Sequence, residues 1–338
     1  MPKKIKIAID AMGGENSPKK IIDGIEISLK KNTENFFYLY GPEKILLNLV
    51  EKNNLLKDNC KIINTENIIS DDESPLSAVK RGKDSSMWKA IESQKTNECD
   101  ISLSAGNTGA LLVMSRVILN TLTGISKPAL AGLWPNEKDM NVVLDLGANI
   151  ECNPKNLVDF ATMGAALYKS LFLNNYPNIA LLNVGLEENK GNDTLKEAFN
   201  ILKKKTTKDF KFCGYIEGSQ IMDGDIDVII TDGFTGNIAL KTAEGTANFI
   251  SRNLKKSLSK ISILFSHKSL KTFKEKLDPR KYNGAIFLGL QSPVVKSHGS
   301  TDALGFSYSI EMCSKIVKGN LIEKIKSHLI DVDERSVQ

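Results

Sequence analysis

The chain has 338 residues, of which 41% are hydrophobic and 25% are charged, so its composition excludes a disordered chain and is that of a globular protein. Its net charge of +5 is small and does not by itself favour a nucleic-acid partner. No run of roughly 18 uncharged apolar residues predicts a membrane span, and the first residues do not resemble a signal peptide. The cysteines show neither CxxC spacing nor clustering with histidine and predict no metal or redox centre; they are Cys60, Cys99, Cys152, Cys213 and Cys313.

Short β-branched runs alternate with amphipathic stretches along the chain. This alternation predicts βαβ units, and therefore a mostly parallel sheet with helices on both faces. We find no internal repeat or linker, and we expect residues 1–338 to form a single domain. The predicted strands are residues 5–9, 36–40, 61–63, 101–104, 142–146, 179–184 and 228–231.

Small and polar residues cluster where several of these predicted strands end. In open α/β sheets, ligands bind at the carboxyl ends of the strands, where N–H groups at helix starts favour anions. One such cluster is more often a turn with a helix cap, but five in one chain favour a binding site. The clusters are residues 10–14, 104–109, 145–149, 184–192 and 231–237, and the SAGNTG sequence at 104–109 is a candidate phosphate cradle.

Several motifs for cofactors and nucleophiles are absent from the sequence. It has no GxxxxGK[ST] and no GxGxxG after the first strand, so neither a nucleotide triphosphate nor a dinucleotide is indicated. It has no GxSxG nucleophile elbow, and only Cys152 lies just past a strand-end cluster, which gives a covalent intermediate weak support. We therefore predict no organic cofactor and no metal.

The strand-end motifs, in this order, resemble those of the phosphate acyltransferase family (the PlsX family), which makes acyl phosphate for bacterial phospholipid synthesis. The resemblance covers residues 5–320. The chain departs from the family pattern at Glu15, where aspartate is usual, and near Ser292, where glycine is usual. The segments that carry the resemblance are IAIDAMGGENSP (7–18), RGKDSSM (81–87), SLSAGNTGAL (102–111), VLDLGAN (143–149), LLNVGLEENKGND (181–193), DVIITDGFTGNIALKTAEG (227–245) and PVVKSHGSTDA (293–303).

The resemblance implies a Rossmann-like three-layer αβα sandwich related to phosphotransacetylases, without organic cofactor or metal. It implies that a homodimer transfers a fatty acyl group from acyl carrier protein to inorganic phosphate. It also implies a cytoplasmic protein attached peripherally to the inner face of the cell membrane, with the membrane acyl phosphate:glycerol-3-phosphate acyltransferase as a partner.

Two alternative functions stay open. One is a phosphotransacetylase-like enzyme that uses acyl-CoA, and the other is a non-catalytic membrane scaffold for fatty-acid synthesis proteins. A decarboxylating dehydrogenase of the related fold would need an aspartate metal cluster and a nucleotide loop, and neither is evident. The basic cluster Lys80, Arg81 and Lys83 suits an acidic carrier protein, but a solvated turn would look the same, so it does not decide the donor.

Three residues are the candidates for catalysis. Lys190, in the KGN sequence, would contact phosphate; the alternative is a solvated loop lysine, and the family motif favours the functional role. His298 follows a further predicted strand, and it would protonate the leaving thiolate or bind the oxyanion, or else is a structural histidine. Asp232 would orient a lysine or histidine, although capping the next helix is the commoner role. The predicted substrate-binding residues are Asp10, Gly13, Gly14, Ser104, Gly106, Asn107, Thr108, Gly109, Asn149, Gly191, Asn192, Thr235, Gly236 and Asn237.

Residues 250–277 differ in charge from the rest of the chain. The segment holds eight basic residues and one acidic residue, a net charge of +7, whereas the whole chain carries +5. Apolar residues recur in it mostly three and four apart, as on one face of a helix or helical hairpin. We predict that this face, with Leu258, Ile261, Leu264 and Phe265, binds in the plane of an anionic membrane; a dimer-forming helical pair is the alternative.

Overall fold

The structure is a computed structural model that describes residues 4–172, 176–205, 207–257 and 278–333. Its described strands form one sheet, in which every predicted strand is present. The strands β5, β8 and β10 were not predicted. The eleven strands are β1 (Ile5–Asp10), β2 (Asn35–Gly41), β3 (Cys60–Asn64), β4 (Ile101–Ser104), β5 (Ala129–Pro135), β6 (Met140–Leu144), β7 (Asn178–Asn183), β8 (Lys211–Glu217), β9 (Val228–Ile230), β10 (Ala285–Leu288) and β11 (Val294–Lys296).

Polar side chains fix where several helices begin. Asn107, Asn153, Asn192 and Asp302 each accept a hydrogen bond from a backbone N–H in the first turn, which satisfies a donor that has no partner within the helix. The described α-helices are α1 (Lys19–Lys31), α2 (Glu43–Val50), α3 (Asn54–Lys57), α4 (Pro75–Arg81), α5 (Ser86–Lys95), α6 (Thr108–Leu119), α7 (Pro154–Leu171), α8 (Asp193–Lys204), α9 (Gly233–Ser257), α10 (Ala303–Lys318) and α11 (Leu321–Asp333).

Helices cover both faces of the sheet, which gives three layers. Along β9, Val228 and Ile230 point into one core and Ile229 points into the other, because successive side chains of a strand alternate between the faces. The first core is completed by α1, α2, α3, α7, α8, α10 and α11, and the second by α4, α5, α6 and α9. A strand buried on both faces is apolar at every position, as β9 is. The predicted αβα fold class is confirmed.

The sheet changes direction near its middle. Its order is β3-β2-β1-β4-β11-β10-β5-β6-β9-β7-β8. In this order, the first five strands (β3, β2, β1, β4 and β11) run parallel to one another, and so do the last four (β6, β9, β7 and β8). Between them, β11–β10, β10–β5 and β5–β6 are antiparallel, and three reversals leave the two halves running in opposite directions.

This reversal divides the predicted loop clusters between two edges of the sheet. The carboxyl ends of β1, β4 and β11 lie at one edge, here called the β4 edge, with loops 10–16, 104–109 and 297–300. The carboxyl ends of β6, β7 and β9 lie at the other, here called the β9 edge, with loops 145–149, 184–192 and 231–237. The sequence analysis did not foresee this division of the clusters between two edges.

The second half of α9 extends away from the sheet. Residues 245–253 are exposed at every position, so no face of this part of the helix packs on described residues. None of the described helices is long and apolar enough to cross a membrane. The predicted amphipathic segment 250–277 begins in the last turns of α9. The predicted membrane-facing residues lie outside the described residues; they are Leu258, Ile261, Leu264 and Phe265.

Candidate active site

A buried carboxylate, Asp10, joins the loops that follow β1 and β4. Its oxygens accept hydrogen bonds from Ser86 Oγ at 2.6 Å, from Ser104 Oγ at 2.7 Å and from the N–H of Met12 at 3.3 Å. Burial raises the pKa of Asp10, although these donors act in the opposite direction. Ser104 Oγ in turn accepts from the N–H of Gly106 at 3.0 Å. Asp10 thus fixes the two loops. Because it is only 2% exposed, its role is to hold these loops in place.

Two lysines that the sequence analysis did not select lie beside these loops. Lys20, in the first turn of α1, is 6% exposed and donates to the carbonyl oxygen of Gly299. Lys296, the last residue of β11, donates to the carbonyl oxygens of Ser297 and, at 3.4 Å, of Ala105. Burial lowers the pKa of Lys296 to about 8; the positive charge of Lys20 acts in the same direction, and the negative charges of Asp71 and Asp10 act against it.

His298 lies on the loop after β11, next to Lys296. Its backbone N–H donates to Asn283 Oδ1 at 2.9 Å, and its Nδ1 lies 3.0 Å from Ser300 Oγ and accepts from the Ser300 N–H at 3.3 Å. Partial burial lowers the pKa of His298, and so does the charge of Lys296, so the ring is neutral at pH 7. Because Nδ1 accepts, the neutral ring carries its proton on Nε2 and can donate it from there.

The amide of Asn107, a predicted phosphate ligand, is occupied by the protein. Its Oδ1 accepts from the N–H of Ala110 at 3.0 Å, and its Nδ2 donates to the carbonyl oxygen of Asp71 at 2.8 Å. Asn107 therefore caps α6 and holds the loop before α4. These roles differ from the contact with phosphate that the sequence analysis predicted for its side chain. Thr108 and Gly109 form the start of α6, and their contact with substrate stays a prediction. Gly13 and Gly14 pack against the 104–109 loop from the β1 side.

At the β9 edge a second buried carboxylate, Asp145, fixes the loop after β6. It accepts hydrogen bonds from the N–H groups of Leu130 at 3.0 Å, Gly147 at 3.1 Å, Ala148 at 2.9 Å and Asn149 at 2.8 Å. The side-chain amide of Asn149 donates a fifth bond at 2.7 Å. Burial raises the pKa of Asp145 despite these donors. The role of this carboxylate is to order the backbone, and Asn149 is part of the same arrangement.

Asp232 caps α9. Its Oδ1 accepts from the N–H of Thr235 at 2.8 Å and its Oδ2 from Thr235 Oγ1 at 2.8 Å. The structure thus gives Asp232 the capping role that aspartate commonly has, with Thr235 as the donor of both hydrogen bonds. Gly236 packs against the backbone of the Asp145 loop, and the exposed side chain of Asn237 lies beside Gly147. Asn237 is therefore the member of this cluster that is free to contact a ligand.

The backbone of the loop that carries Lys190 is held in a fixed shape. The N–H of Lys190 donates to the carbonyl oxygen of Glu187 at 3.0 Å, and Asn183 Nδ2 donates to the carbonyl oxygen of Lys190 at 3.3 Å. Gly191 has a φ of 86°, and a Cβ there would overlap Asn183 Oδ1, so only glycine fits. Asn192 caps α8. The Lys190 side chain is exposed, and the ion pairs found among the described residues do not include it.

Five large apolar side chains are exposed around the loops of the β9 edge. They follow β6, β7 and β9, the three neighbouring strands that end there. Single exposed apolar side chains are common, but a group around one set of loops marks a surface for an apolar ligand or partner. We call this group the apolar rim; it consists of Ile150 (73% exposed), Val184 (80%), Leu186 (52%), Phe234 (59%) and Ile238 (50%).

The helix α9 connects the two edges. It begins at the β9 edge, where Asp232 caps it, and the charges of Lys241 and Glu244 act on His298 at the β4 edge. At about 1.5 Å per residue, this part of α9 spans on the order of 12–17 Å. His298 follows β11 at the β4 edge, whereas Lys190 and Asp232 follow β7 and β9 at the β9 edge. In the described part of the chain no group of three or more His, Cys, Asp and Glu side chains could hold a metal ion.

The fold is that of the phosphotransacetylases. The structure is similar to a phosphotransacetylase from Streptococcus pyogenes with a TM-score of 0.63 and 18% identity, covering 96% of this chain and 95% of that chain. It is also similar to the EutD phosphotransacetylase from Staphylococcus aureus with a TM-score of 0.61 and 16% identity, covering 94% of each chain. The chain is thus an α/β protein of the phosphotransacetylase fold.

Sequence similarity defines the family more closely. The chain matches the family described as "Fatty acid synthesis protein" over residues 5–324. It is 56% identical over 334 residues to the phosphate acyltransferase of Pelagibacter ubique (strain HTCC1062), covering 97% of this chain and 100% of that protein. It is 41% identical over 336 residues to that of Xanthobacter autotrophicus (strain ATCC BAA-1158 / Py2), covering 98% and 94%. The chain belongs to the phosphate acyltransferase family and is an enzyme, which confirms the resemblance and removes the non-catalytic scaffold.

Proposed function

We propose that this enzyme transfers a fatty acyl group from acyl carrier protein to inorganic phosphate, and that the acyl phosphate serves phospholipid synthesis. The observation that carries the proposal is the setting of Lys190, an exposed ammonium on a fixed loop at the same sheet edge as the apolar rim. A cation beside exposed apolar side chains suits an anionic acceptor and an apolar acyl chain. The names of the relatives, phosphate acyltransferases, support the same reaction.

In the proposed reaction an oxygen of phosphate attacks the carbonyl carbon of the thioester, so that a C–O bond forms and the C–S bond breaks. Phosphate is largely dianionic near pH 7, with a second pKa of about 6–7 by analogy with phosphoesters, and needs no strong base. The sulfur leaves as a thiolate and takes a proton from water, which gives the free thiol of the carrier. The main tasks of the protein are to position the two substrates and to stabilise charge.

Because Lys190 and His298 lie at different edges of the sheet, we assign them different tasks. We place the reacting carbonyl at the β9 edge, where Lys190 holds the phosphate and the apolar rim contacts the acyl chain. His298, on the loop at the β4 edge, then donates a hydrogen bond from Nε2 to the arm that carries the thioester. This assignment replaces the expected role of His298 as the acid for the leaving thiolate.

The donor we propose is acyl carrier protein, with acyl-CoA as the alternative. Carrier proteins are strongly acidic, and electrostatic complementarity favours a basic docking surface. Lys80, Arg81 and Lys83 are exposed at the end of α4, and none of them belongs to an ion pair found among the described residues. The loop before α4 is tied to the β4 edge by Asn107, so a carrier bound there would lie at the end of the site where we place the thioester arm.

A homodimer on the inner face of the cell membrane is part of the same proposal. The exposed second half of α9 leaves Phe249 and Ile250 without cover from described residues, as a helix that packs on a second copy would. The net charge of +7 on residues 250–277 favours an anionic lipid surface by about 1 kcal/mol for each basic group near it. The membrane acyl phosphate:glycerol-3-phosphate acyltransferase would then receive the product at that surface.

A direct assay tests the proposed function. The purified enzyme is incubated with acyl carrier protein loaded with a palmitoyl group, with phosphate and with a chelator, and acyl phosphate is trapped as the hydroxamate. We expect formation that depends on phosphate and persists in the chelator, and a much lower kcat/KM with palmitoyl-CoA. Equal or higher kcat/KM with palmitoyl-CoA would establish the alternative donor, and absence of acyl phosphate with both donors would contradict the proposal.

A further inference from the structure

The buried Lys20 and the partly buried Lys296 of the β4 edge lack the partners that buried lysines normally have. A lysine is almost never buried without a carboxylate or another strong partner, because moving its charge out of water is costly. Lys20 and Lys296 donate only to backbone carbonyl oxygens. Within the described ranges, no carboxylate oxygen lies within the 4.0 Å of an ion pair with either of them. Asp10, a buried carboxylate of β1, is already bonded to Ser86 and Ser104. The charge of Asp71 acts on both lysines and that of Glu15 on Lys20, but from beyond the distance of an ion pair.

Both ammonium groups lie at the same small space, next to Gly14. A Cβ on Gly14 would be 2.8 Å from the carbonyl oxygen of Ala105, 2.9 Å from that of Gly299 and 3.0 Å from Lys20 Nζ. Lys296 Nζ lies 3.4 Å from the same Ala105 oxygen. Gly14 has a φ of 81°, which only glycine adopts easily, so this residue keeps the space open. Three loops, after β1, β4 and β11, therefore bring two cations together.

Two neighbouring cations in a partly buried space repel each other, and an anion between them removes the repulsion. Each ammonium group has three N–H donors, and the carbonyl oxygens named above use one on Lys20 and at most two on Lys296. The remaining donors, with Ser300 and His298 Nε2 at the exposed end of the loop, are of the kind that binds phosphate oxygens.

We propose that Lys20 and Lys296 form a second oxyanion site, which takes a phosphate group at the β4 edge, apart from Lys190. The site rests on geometry, whereas the source of its ligand rests on the proposed function. That function supplies two phosphate groups: inorganic phosphate, and the phosphodiester at the base of the arm that carries the thioester on acyl carrier protein. A donor whose phosphodiester lies at the β4 edge and whose thioester lies at the β9 edge would extend along α9.

The test compares Lys20→Met and Lys296→Met with Lys19→Met. Lys19 is next in sequence, is exposed and pairs with Asp23 at 2.6 Å, so its variant removes the same charge without touching the site. Methionine keeps the length of the side chain and removes an unpaired buried charge, so both site variants should unfold at the same or a higher temperature than the wild type. If either buried lysine is only structural, its variant unfolds at a lower temperature, and that result overturns the proposal.

Two titrations identify the ligand. Inorganic phosphate is titrated calorimetrically into the full-length protein without donor, and KM is measured for phosphate and for palmitoyl-loaded carrier protein. Loss of a charged hydrogen bond should raise one of these constants roughly ten- to a hundredfold in both site variants and leave Lys19→Met unchanged. A weaker phosphate titration identifies inorganic phosphate, and a raised donor KM alone identifies the phosphodiester.

No change in either constant, or an equal change in Lys19→Met, overturns the second site. The phosphate titration needs no turnover, so it separates the site from the reaction. A protein that binds phosphate through Lys20 and Lys296 but forms no acyl phosphate would retain the site and contradict the proposed function.

Discussion

The β4 edge and the β9 edge each combine a buried carboxylate with lysine, but in opposite arrangements. At the β4 edge Lys20 is buried and Lys296 is partly buried, and Asp10 is held mainly by two hydroxyl groups. At the β9 edge Lys190 is exposed, and Asp145 is saturated by four backbone N–H groups and one amide. The β4 edge thus holds positive charge in a partly buried, preformed space. At the β9 edge the carboxylate fixes the backbone, and the exposed lysine side chain can change conformation when a substrate binds.

The largest expected difference between the edges is in stability. Asp145→Ala leaves five N–H donors without an acceptor, and we expect a loss of roughly 3–5 kcal/mol in the free energy of unfolding. Asp10→Ala should cost about 1–3 kcal/mol, because two of its three donors are hydroxyl groups that can rotate to other acceptors. Urea unfolding measures both, and an equal or larger loss for Asp10→Ala would contradict this comparison.

The next effect concerns activity at the β9 edge. Lys190→Ala removes the proposed charged contact to phosphate, worth about 1.5–3 kcal/mol, so kcat/KM for phosphate should fall roughly ten- to a hundredfold while the fold survives. The matched control is Lys196→Ala, which removes an exposed lysine of α8 whose nearest carboxylate, Asp193, is 3.9 Å away. A phosphate titration at saturating donor checks both variants, and equal kinetics for the two would remove Lys190 from the site.

A smaller effect tests whether the Lys190 loop needs its fixed shape. Gly191→Ala forces a side chain onto a positive φ and against Asn183, which should cost about 1–3 kcal/mol and lower turnover with phosphate. Gly245→Ala is the control, because Gly245 lies in the exposed part of α9 with open space around it. This control should gain about 0.5–1 kcal/mol. If Gly191→Ala were as stable and as active as the wild type, the loop would not need this backbone conformation.

The smallest effect is a shift in titration at the β4 edge. The pKa of His298 lies below 6.5 because of partial burial and the charge of Lys296, so its NMR titration midpoint should rise towards 6.5 in Lys296→Met. In the wild type the donor KM should decrease as the pH falls through the lowered pKa, because a protonated ring adds a positive charge beside the anionic phosphate group proposed for this edge. Removal of the ring by His298→Ala should abolish this pH dependence. A wild-type midpoint above 6.5 would contradict the account of this edge.

The sequence predicted the layers of the fold but not the direction of its strands. Strands such as β1 and β9 were visible as β-branched runs, whereas β5, β8 and β10 were missed; β5 and β8 include glycine and β10 has only four residues. The reversal depends on the antiparallel pairings β11–β10, β10–β5 and β5–β6. The strands β10 and β5 are distant in the sequence, and no local pattern fixes the direction of the pairings between sequence neighbours. Loop clusters that looked equivalent along the chain therefore lie at different edges.

Some local features of the two edges could be predicted from the sequence, and others could not. The shape of the Lys190 loop and the cap by Asp232 follow from local glycine, asparagine and aspartate patterns, which is why the sequence pointed to them. The sequence analysis did not select Lys20, because its burial depends on contact with Gly299, which is 279 residues further along the chain. Lys296 gave one signal that was not used, a single lysine directly after two valines of a buried strand.

The central claim is that phosphate itself attacks the thioester, and isotope transfer tests it most directly. The enzyme is incubated with palmitoyl-loaded acyl carrier protein and with phosphate labelled with ¹⁸O at all four oxygens. The mass of the acyl phosphate is then measured by mass spectrometry. The account predicts that the product keeps all four labels, because the bridging oxygen comes from phosphate and the carbonyl oxygen from the donor. Release of unlabelled fatty acid at a rate independent of phosphate, or an acyl phosphate that has lost one label, would contradict it.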